Sequence, residues 1–179
     1  MNLIQTTTQL FVGVAFAAST LLSCVTTNSG KNVVTTIADA QAAYKSTFDS
    51  LGVNLVISYK VTGRDNVTSE KTGKNWTITV HDGFATNPRI NKNALNLAIC
   101  HEVGHLIGPR DDNAMYADEK ISDIFAVVTC KNILHMSKSS LSDGIESINN
   151  WYKSYPVAYG YPTRSERWEI MLFTLAHLK

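Results

Sequence analysis

The stretch that most limits what this chain can fold into is AICHEVGHLIG, residues 98–108. In it, His101 and His105 have the spacing of one helical turn. Apolar residues recur at helical spacing across residues 94–106, and the Gly-Pro pair at 108–109 ends the pattern. Residues at positions i and i+4 of an α-helix point the same way, so both imidazoles can reach a single ion. A metal-binding helix is therefore predicted here. A buried helix whose histidines only make polar contacts is the alternative.

Glu102 directly follows the first histidine and lies one position round the helix from it. A carboxylate there is suited to touch a metal-bound water and not the metal itself. This is the H-E-x-x-H arrangement, in which two histidines bind zinc and the glutamate acts as general base. A catalytic zinc also needs a third protein ligand and an open fourth position. The remaining question is whether the chain supplies that third ligand.

The composition is that of a single folded domain. The chain has 179 residues, of which 44% are hydrophobic and 17% are charged. A chain of this length can bury most of its apolar surface. The formal net charge is only +1, and no basic cluster stands out, so nucleic acid is not an expected partner. Partners must be recognised at a local site, and a peptide or protein substrate is the expected one.

The N-terminal residues predict export. Residues 10–22 form an apolar run that is too short for a comfortable membrane span but has the length of a signal-peptide core. The run ends in LLSC, residues 21–24, which resembles the cleavage box of bacterial lipoproteins. The resemblance implies that residues 1–23 are removed and that Cys24 carries a lipid, which would anchor the protein to a membrane of the cell envelope. Simple secretion and an uncleaved anchor are the alternatives.

The rest of the chain predicts a polar tether over residues 24–34 and one compact α+β domain over residues 35–179. Thr36 is the expected N-cap of the first helix, and Thr163 and Glu166 have capping-box spacing at the start of the last. The predicted order is a helix, a small sheet and several helices, over residues 37–51, 53–60, 75–81, 91–107, 116–136, 141–155 and 165–178.

Two cysteines, Cys100 and Cys130, lie in predicted helices. An even count in an oxidising compartment allows a disulfide between the two helices. The alternative is a pair of buried thiols that pack as small hydrophobic groups. Both alternatives stay open.

The segment EKISD, residues 119–123, offers the third ligand. Glu119 and Asp123 are one helical turn apart in a predicted helix. The segment resembles the E-x-x-[AS]-D motif of gluzincin metallopeptidases. The resemblance implies that Glu119 is the third zinc ligand and that Asp123 accepts a hydrogen bond from His101 and orients its ring. A solvated helix start, with acidic residues at the favourable end of the helix dipole, is the alternative for Glu119.

A third segment, YPTRSER over residues 161–167, resembles the H-P-x-x-x-x-R segment of the HtpX-like, Oma-type and CaaX-prenyl-endopeptidase superfamily of gluzincins. Tyr161 stands where these proteins have histidine, which makes it a candidate for stabilising the tetrahedral oxyanion. A packing aromatic is the alternative for Tyr161, and Arg167 is expected to be structural. The resemblance covers roughly residues 76–168 and extends to small lipoprotein-like bacterial members.

Together the motifs predict a minimal zincin-like α+β domain and an exported zinc endopeptidase, with Glu102 as general base. By the same resemblance the strand at 75–81 is expected at the edge of the sheet, where a peptide would add along residues 76–85. His81, at the end of that strand, is expected to face solvent, and a contact with substrate is the alternative. The alternatives are a non-catalytic zinc-binding envelope lipoprotein on the same scaffold and a metal-free structural envelope protein.

Overall fold

The chain is described by a computed structural model in which residues 33–108, 115–155 and 160–179 are placed. Within those ranges it forms six α-helices and one three-stranded sheet, which confirms the predicted α+β class. The predicted signal peptide and Cys24 lie outside the described residues. The first described helix spans Val33–Ser50 and therefore includes the last two residues, 33 and 34, of the predicted tether.

The elements in chain order are α1 (Val33–Ser50), β1 (Asn54–Lys60), β2 (Val67–Thr72), β3 (Asn75–His81), α2 (Asp82–Thr86), α3 (Lys92–Ile107), α4 (Met115–Asn132), α5 (Lys138–Tyr152) and α6 (Arg164–His177). Strand β2 and the short helix α2 were not predicted. Thr36 is buried inside α1, so its prediction as the N-cap of that helix is wrong. No described helix is long and apolar enough to cross a membrane.

Side-chain caps fix the starts of the helices that frame the site. The Asn91 side chain accepts a hydrogen bond from the backbone N–H of Ala94 at the start of α3. At the start of α6, Thr163 and Glu166 form the predicted capping box, each side chain accepting from the other residue's backbone N–H. Such caps satisfy backbone groups that the first turn of a helix would otherwise leave without partners.

The strand predicted at the edge of the sheet lies at its centre. The strand order is β1-β3-β2, with β1 parallel and β2 antiparallel to β3. The edge position expected from the resemblance is wrong because β1 and β2 pair with the two sides of β3. The prediction that His81 faces solvent is also wrong. His81 is only 5% exposed, and its two ring nitrogens lie 2.8 Å from the Thr62 hydroxyl and 3.3 Å from the Thr68 hydroxyl. The polar residue at the end of β3 is therefore buried with hydrogen-bond partners and does not face solvent.

Helix α3 is the centre of the molecule, since it packs against α1, α4, α5 and the sheet. Its buried residues include Leu95, Leu97 and Ile99. The closest approach is at Gly104, where an added Cβ would lie 2.9 Å from the Cα of Ser122 on α4. Because only a residue without a Cβ permits this approach, Gly104 brings the two helix backbones close together beside the histidines.

Candidate metal centre

Two imidazoles on α3 form the centre of the site. The Nε2 atoms of His101 and His105 lie 2.9 Å apart, and the rings meet edge to face with centroids separated by 4.6 Å. Glu102 joins them in a cluster whose potential ligand atoms all lie within 4.8 Å of one another. The one-turn spacing on a single helix therefore directs both imidazoles at one point.

The carboxylate of Glu119, on α4, faces both rings. Its Oε2 atom lies 3.3 Å from His101 Nε2, and its Oε1 atom lies 3.4 Å from His105 Nε2. Three donor atoms bound to a tetrahedral zinc at about 2.0–2.1 Å would lie roughly 3.3 Å from one another. Two imidazoles and one carboxylate are also a ligand set found in catalytic zinc sites. The donor atoms of His101, His105 and Glu119 thus fit a zinc ion in both spacing and chemistry.

The far side of each imidazole meets a carboxylate. His101 Nδ1 lies 3.0 Å from an oxygen of Asp123, and His105 Nδ1 lies 2.9 Å from an oxygen of Asp118. Ser122 adds a hydroxyl 3.1 Å from His105 Nδ1. With Nδ1 donating to a carboxylate, the Nε2 lone pair of each ring is left for a metal.

Asp118 and Ser122 were not predicted as part of the site. The sequence carried a signal for both residues. Asp118 and Ser122 are one helical turn apart, as Glu119 and Asp123 are, and each comes one position earlier in the chain. The second oxygen of Asp118, Oδ1, is buried and has no hydrogen-bond partner among the described residues. The Asp118 carboxylate is therefore less fully paired than that of Asp123.

Arg167, for which the sequence suggested a structural role, contacts two of the acidic residues that lie beside the imidazoles. Its guanidinium donates two hydrogen bonds to Asp123, at 2.6 and 2.8 Å, and its Nη1 lies 3.1 Å from Glu119 Oε2. Nη1 also donates to the hydroxyl of Tyr152. A buried guanidinium that pairs with two carboxylates holds them in a defined arrangement. The side chain thus connects α6 to both acidic residues of α4.

The ionisation states of the acidic residues suit metal binding. Burial alone would raise the pKa of Glu119, but hydrogen bonds from His101 and His105 and the charge of Arg167 hold it well below its usual range. The pKa of Asp123 is also lowered: burial opposes this shift, but the hydrogen bonds and positive charge of Arg167 outweigh it. Both groups are therefore carboxylates at neutral pH, as a ligand and its supporting group must be.

The imidazoles of the metal-free site retain protons more strongly than free histidine does. Burial would lower the pKa of His101, but hydrogen bonds to Asp123 and Glu119 raise it to about 9. The pKa of His105 is raised in the same way, with Glu119 outweighing the effect of burial. A metal ion that binds here must displace these protons.

The surroundings of Glu102 act on the pKa of its carboxyl in both directions. Burial raises the pKa of its carboxyl, while the charge of His101 and a hydrogen bond with the Ser69 side chain act in the opposite direction. A carboxylate whose pKa is raised toward neutrality is better suited to accept a proton and return it. Ser69 lies on β2 and was not predicted as part of the site.

Tyr161, the predicted oxyanion donor, lines the same cavity as the cluster and is 37% exposed. Burial and the negative charge of Glu119 raise the pKa of Tyr161, so its hydroxyl keeps its proton at neutral pH. Tyr152 lines the cavity as well, and its hydroxyl is joined to Arg167. Three tyrosines therefore line the cavity, Tyr152, Tyr155 and Tyr161, and the sequence predicted only Tyr161.

The two remaining cysteines lie behind the site, between α3 and α4. Cys100 and Cys130 are free and fully buried, with their Sγ atoms 2.8 Å apart. The hydroxyl of Tyr44 donates a hydrogen bond to the Cys100 thiol at 3.1 Å. This arrangement corresponds to the alternative of buried, packed thiols.

No protein-family model, curated protein or solved structure matches the chain. The resemblance to gluzincins therefore depends on the three short motifs and on the site geometry described above.

Proposed function

We propose that this protein is a zinc-dependent endopeptidase of the gluzincin type. The observation that carries the proposal is the convergence of His101 Nε2, His105 Nε2 and the Glu119 carboxylate at separations of 2.9 to 3.4 Å. These three side chains would hold the zinc, with Asp123 and Asp118 orienting the rings. Glu102 is left as the one carboxylate of the cluster that is available for proton transfer.

A zinc ion at this position would supply a water of lowered pKa and would polarise the scissile carbonyl. Glu102 accepts the proton of the attacking water and later donates it to the departing amine. Its raised pKa, caused by burial, suits both steps. The Tyr161 hydroxyl, which keeps its proton and belongs to a residue that lines the cavity, is the proposed donor to the oxyanion, and the Tyr152 hydroxyl is a second candidate.

Strand β2 is the best candidate for aligning a substrate. It pairs with β3 along one edge, and no strand pairs with its other edge within the placed residues. It packs against α3, and its residue Ser69 hydrogen-bonds with Glu102. A peptide added to this edge would be held by main-chain hydrogen bonds beside the general base. We therefore assign to β2 the role that the sequence suggested for residues 76–85.

Metal analysis and proteolysis of the purified protein test the proposal. We expect about one zinc per chain and hydrolysis of an unfolded casein. Glu102→Gln should keep the zinc and lose turnover by about 10²- to 10⁴-fold, because only proton transfer is removed. Glu119→Ala should lose the zinc. Glu146→Gln, on the exposed surface of α5, is the matched control and should change neither quantity.

Two results would contradict the proposal in different ways. Stoichiometric zinc with no hydrolysis by the unchanged protein would favour a non-catalytic zinc-binding module on the same scaffold. Absence of zinc, with unchanged thermal stability in the presence of a chelator, would favour a metal-free structural protein.

The proposed location depends on the sequence alone. We propose that the protein is exported and anchored to the cell envelope through a lipid on Cys24. Expression of the full chain and of Cys24→Ser in a bacterium, followed by membrane fractionation, tests this. The unchanged chain should sediment with membranes and the variant should be soluble or retain its leader. Equal partitioning of the two would contradict lipidation.

A further inference from the structure

A cavity of about 290 Å³ opens directly onto the metal centre. One side of it is formed by the cluster of His101, Glu102, His105 and Glu119. The rest of its lining includes six apolar or aromatic residues, Phe84, Leu97, Ile148, Trp151, Tyr152 and Tyr155. We call these six residues the aromatic wall. This volume is close to the lower end of the range of about 300–1,000 Å³ found for ligand pockets, so it suits one large side chain better than a folded partner.

Trp151 is the central residue of the aromatic wall. Its ring packs edge to face on Phe84, with centroids 5.1 Å apart, and contacts Tyr152 and Tyr155 with centroids at 4.7 and 4.8 Å. It is only half-buried. Part of a large aromatic surface thus faces the cavity, where an apolar group could displace water from it.

Asp65 holds the aromatic wall in place. Its Oδ1 accepts a hydrogen bond from the indole N–H of Trp151 at 3.1 Å, and its Oδ2 accepts from the hydroxyl of Tyr155. Asn87 donates to the same Oδ2 at 3.0 Å. The polar atoms of both rings are therefore satisfied by one residue, which fixes the orientation of the rings. A preorganised aromatic surface loses little entropy when a ligand binds.

We propose that the aromatic wall is the specificity pocket of this protein and takes a bulky aromatic or aliphatic side chain next to the scissile bond. The proposal rests on the peptidase function proposed above. The pocket and the general base belong to one cavity, so a side chain on the wall places the adjacent peptide bond beside Glu102. Asp65 acts as a positioning residue, since it touches the rings and not the substrate.

One charged group complicates this assignment and provides a competing outcome. Arg164, on the first turn of α6, also lines the cavity. If it governed selection, acidic side chains would be preferred beside the cleaved bond. The two possibilities therefore predict opposite chemical classes of substrate.

Cleavage-site profiling tests the proposal. The zinc-loaded full-length protein is incubated with a peptide library of mixed sequence, and the residues flanking the cleaved bonds are identified by mass spectrometry. We expect Phe, Leu, Met, Tyr or Trp to be enriched at one position beside the bond. Trp151→Ala should abolish the enrichment and lower kcat/KM for a Phe-containing peptide by about 10-fold or more, mainly through KM. For the matching Ala-containing peptide, the change should be less than about 2-fold.

Three further variants provide a control and two independent tests of the pocket. Trp168→Ala is the matched control, because Trp168 is a half-buried tryptophan of α6 that does not line the cavity. Ala98→Leu fills the cavity from α3 and should shift the preference toward small side chains, which provides a second test if Trp151→Ala does not fold. Asp65→Asn should weaken the preference while zinc content stays unchanged.

The outcomes separate this inference from the function on which it rests. Cleavage without any preference, or a preference that survives both Trp151→Ala and Ala98→Leu, overturns the pocket and leaves the peptidase standing. Enrichment of Asp or Glu overturns the aromatic assignment and favours Arg164. Absence of cleavage by the unchanged, zinc-loaded protein overturns both proposals.

Discussion

Replacing Asp123 and Asp118 in turn by asparagine separates the two contacts that orient the imidazoles. Each carboxylate lies against a ring Nδ1, at 3.0 Å for the Asp123–His101 pair and 2.9 Å for the Asp118–His105 pair. Their surroundings differ, because the Asp123 side chain is 2% exposed and that of Asp118 is 24% exposed. Asparagine keeps the shape and one acceptor oxygen, so each variant isolates the effect of the negative charge.

For Asp123→Asn we expect the zinc dissociation constant to rise about 10- to 100-fold, the usual effect of losing a carboxylate behind a ligating imidazole. That factor corresponds to roughly 1.4–2.7 kcal/mol of binding free energy. The metal-free protein should also lose about 2 kcal/mol of its free energy of unfolding, because the buried guanidinium of Arg167 would lose its two charged hydrogen bonds to Asp123 and keep only Glu119 as a counter-ion.

For Asp118→Asn both effects should be smaller. Its carboxylate is partly exposed, and its ring partner His105 keeps a second contact with Ser122 at 3.1 Å. We expect about a 10-fold loss of zinc affinity at most and less than about 1 kcal/mol of stability.

Zinc affinity is measured by competition with a chromophoric chelator, and the stability of the chelator-treated protein by urea unfolding. The reasoning predicts the order Asp123→Asn, then Asp118→Asn, in both measurements. If Asp118→Asn weakens zinc binding as much as Asp123→Asn does, burial and pairing with Arg167 do not determine the strength of these contacts. If neither variant changes zinc affinity, the imidazoles are not metal ligands.

Three further predictions follow from the site. Hydrogen bonds raise the pKa of His101 to about 9, so zinc binding at about pH 7.5 should release about one proton or more per chain. Fewer protons should be released as the pH rises through the pKa of His101. Calorimetry in buffers of different ionisation enthalpy measures the number of protons released, and zero release would contradict the prediction. Gly104→Ala should destabilise the protein by about 1–3 kcal/mol in urea unfolding, because its Cβ would lie 2.9 Å from the Ser122 Cα; an unchanged midpoint would show that the helices can separate without cost. Ser69→Ala removes a hydrogen bond that lowers the pKa of Glu102, so the acidic limb of the kcat/KM profile should move to higher pH, and a limb that stays in place would exclude Ser69 from this role.

Local patterns were sufficient to predict the α+β class and most helices. Helical periodicity, the Gly-Pro stop after α3 and the capping box of Thr163 and Glu166 all act within a few residues of chain. The one-turn spacing of His101 and His105 likewise predicts a shared face, because helix geometry alone requires it. These features depend on short-range geometry, which a single sequence displays directly.

The order of the strands could not be predicted in the same way. Alternation along β3 is compatible with an edge strand or with a central strand whose polar residues find buried partners. His81 has such partners in Thr62 and Thr68, which are distant from it in the chain. Strand β2, with polar residues at most of its positions, carries little hydrophobic signal and was not predicted. Pairing of strands is a long-range property, and periodicity contains no information about it.

The same distinction explains what was missed in the site. Arg167 is separated from its partners Asp123, Glu119 and Tyr152 along the chain, and no local spacing connects an arginine of α6 to a carboxylate of α4. An arginine in an otherwise apolar helix face nevertheless carries a signal, since burying an unpaired guanidinium is costly. A partner of opposite charge must then lie within reach. The best candidate is an aspartate directly before an apolar run, because such an aspartate is also expected to be buried. Asp123, followed by IFAVV, meets that description. Searching for the counter-ion of each buried-looking arginine would therefore have paired Arg167 with Asp123 before any coordinates were known.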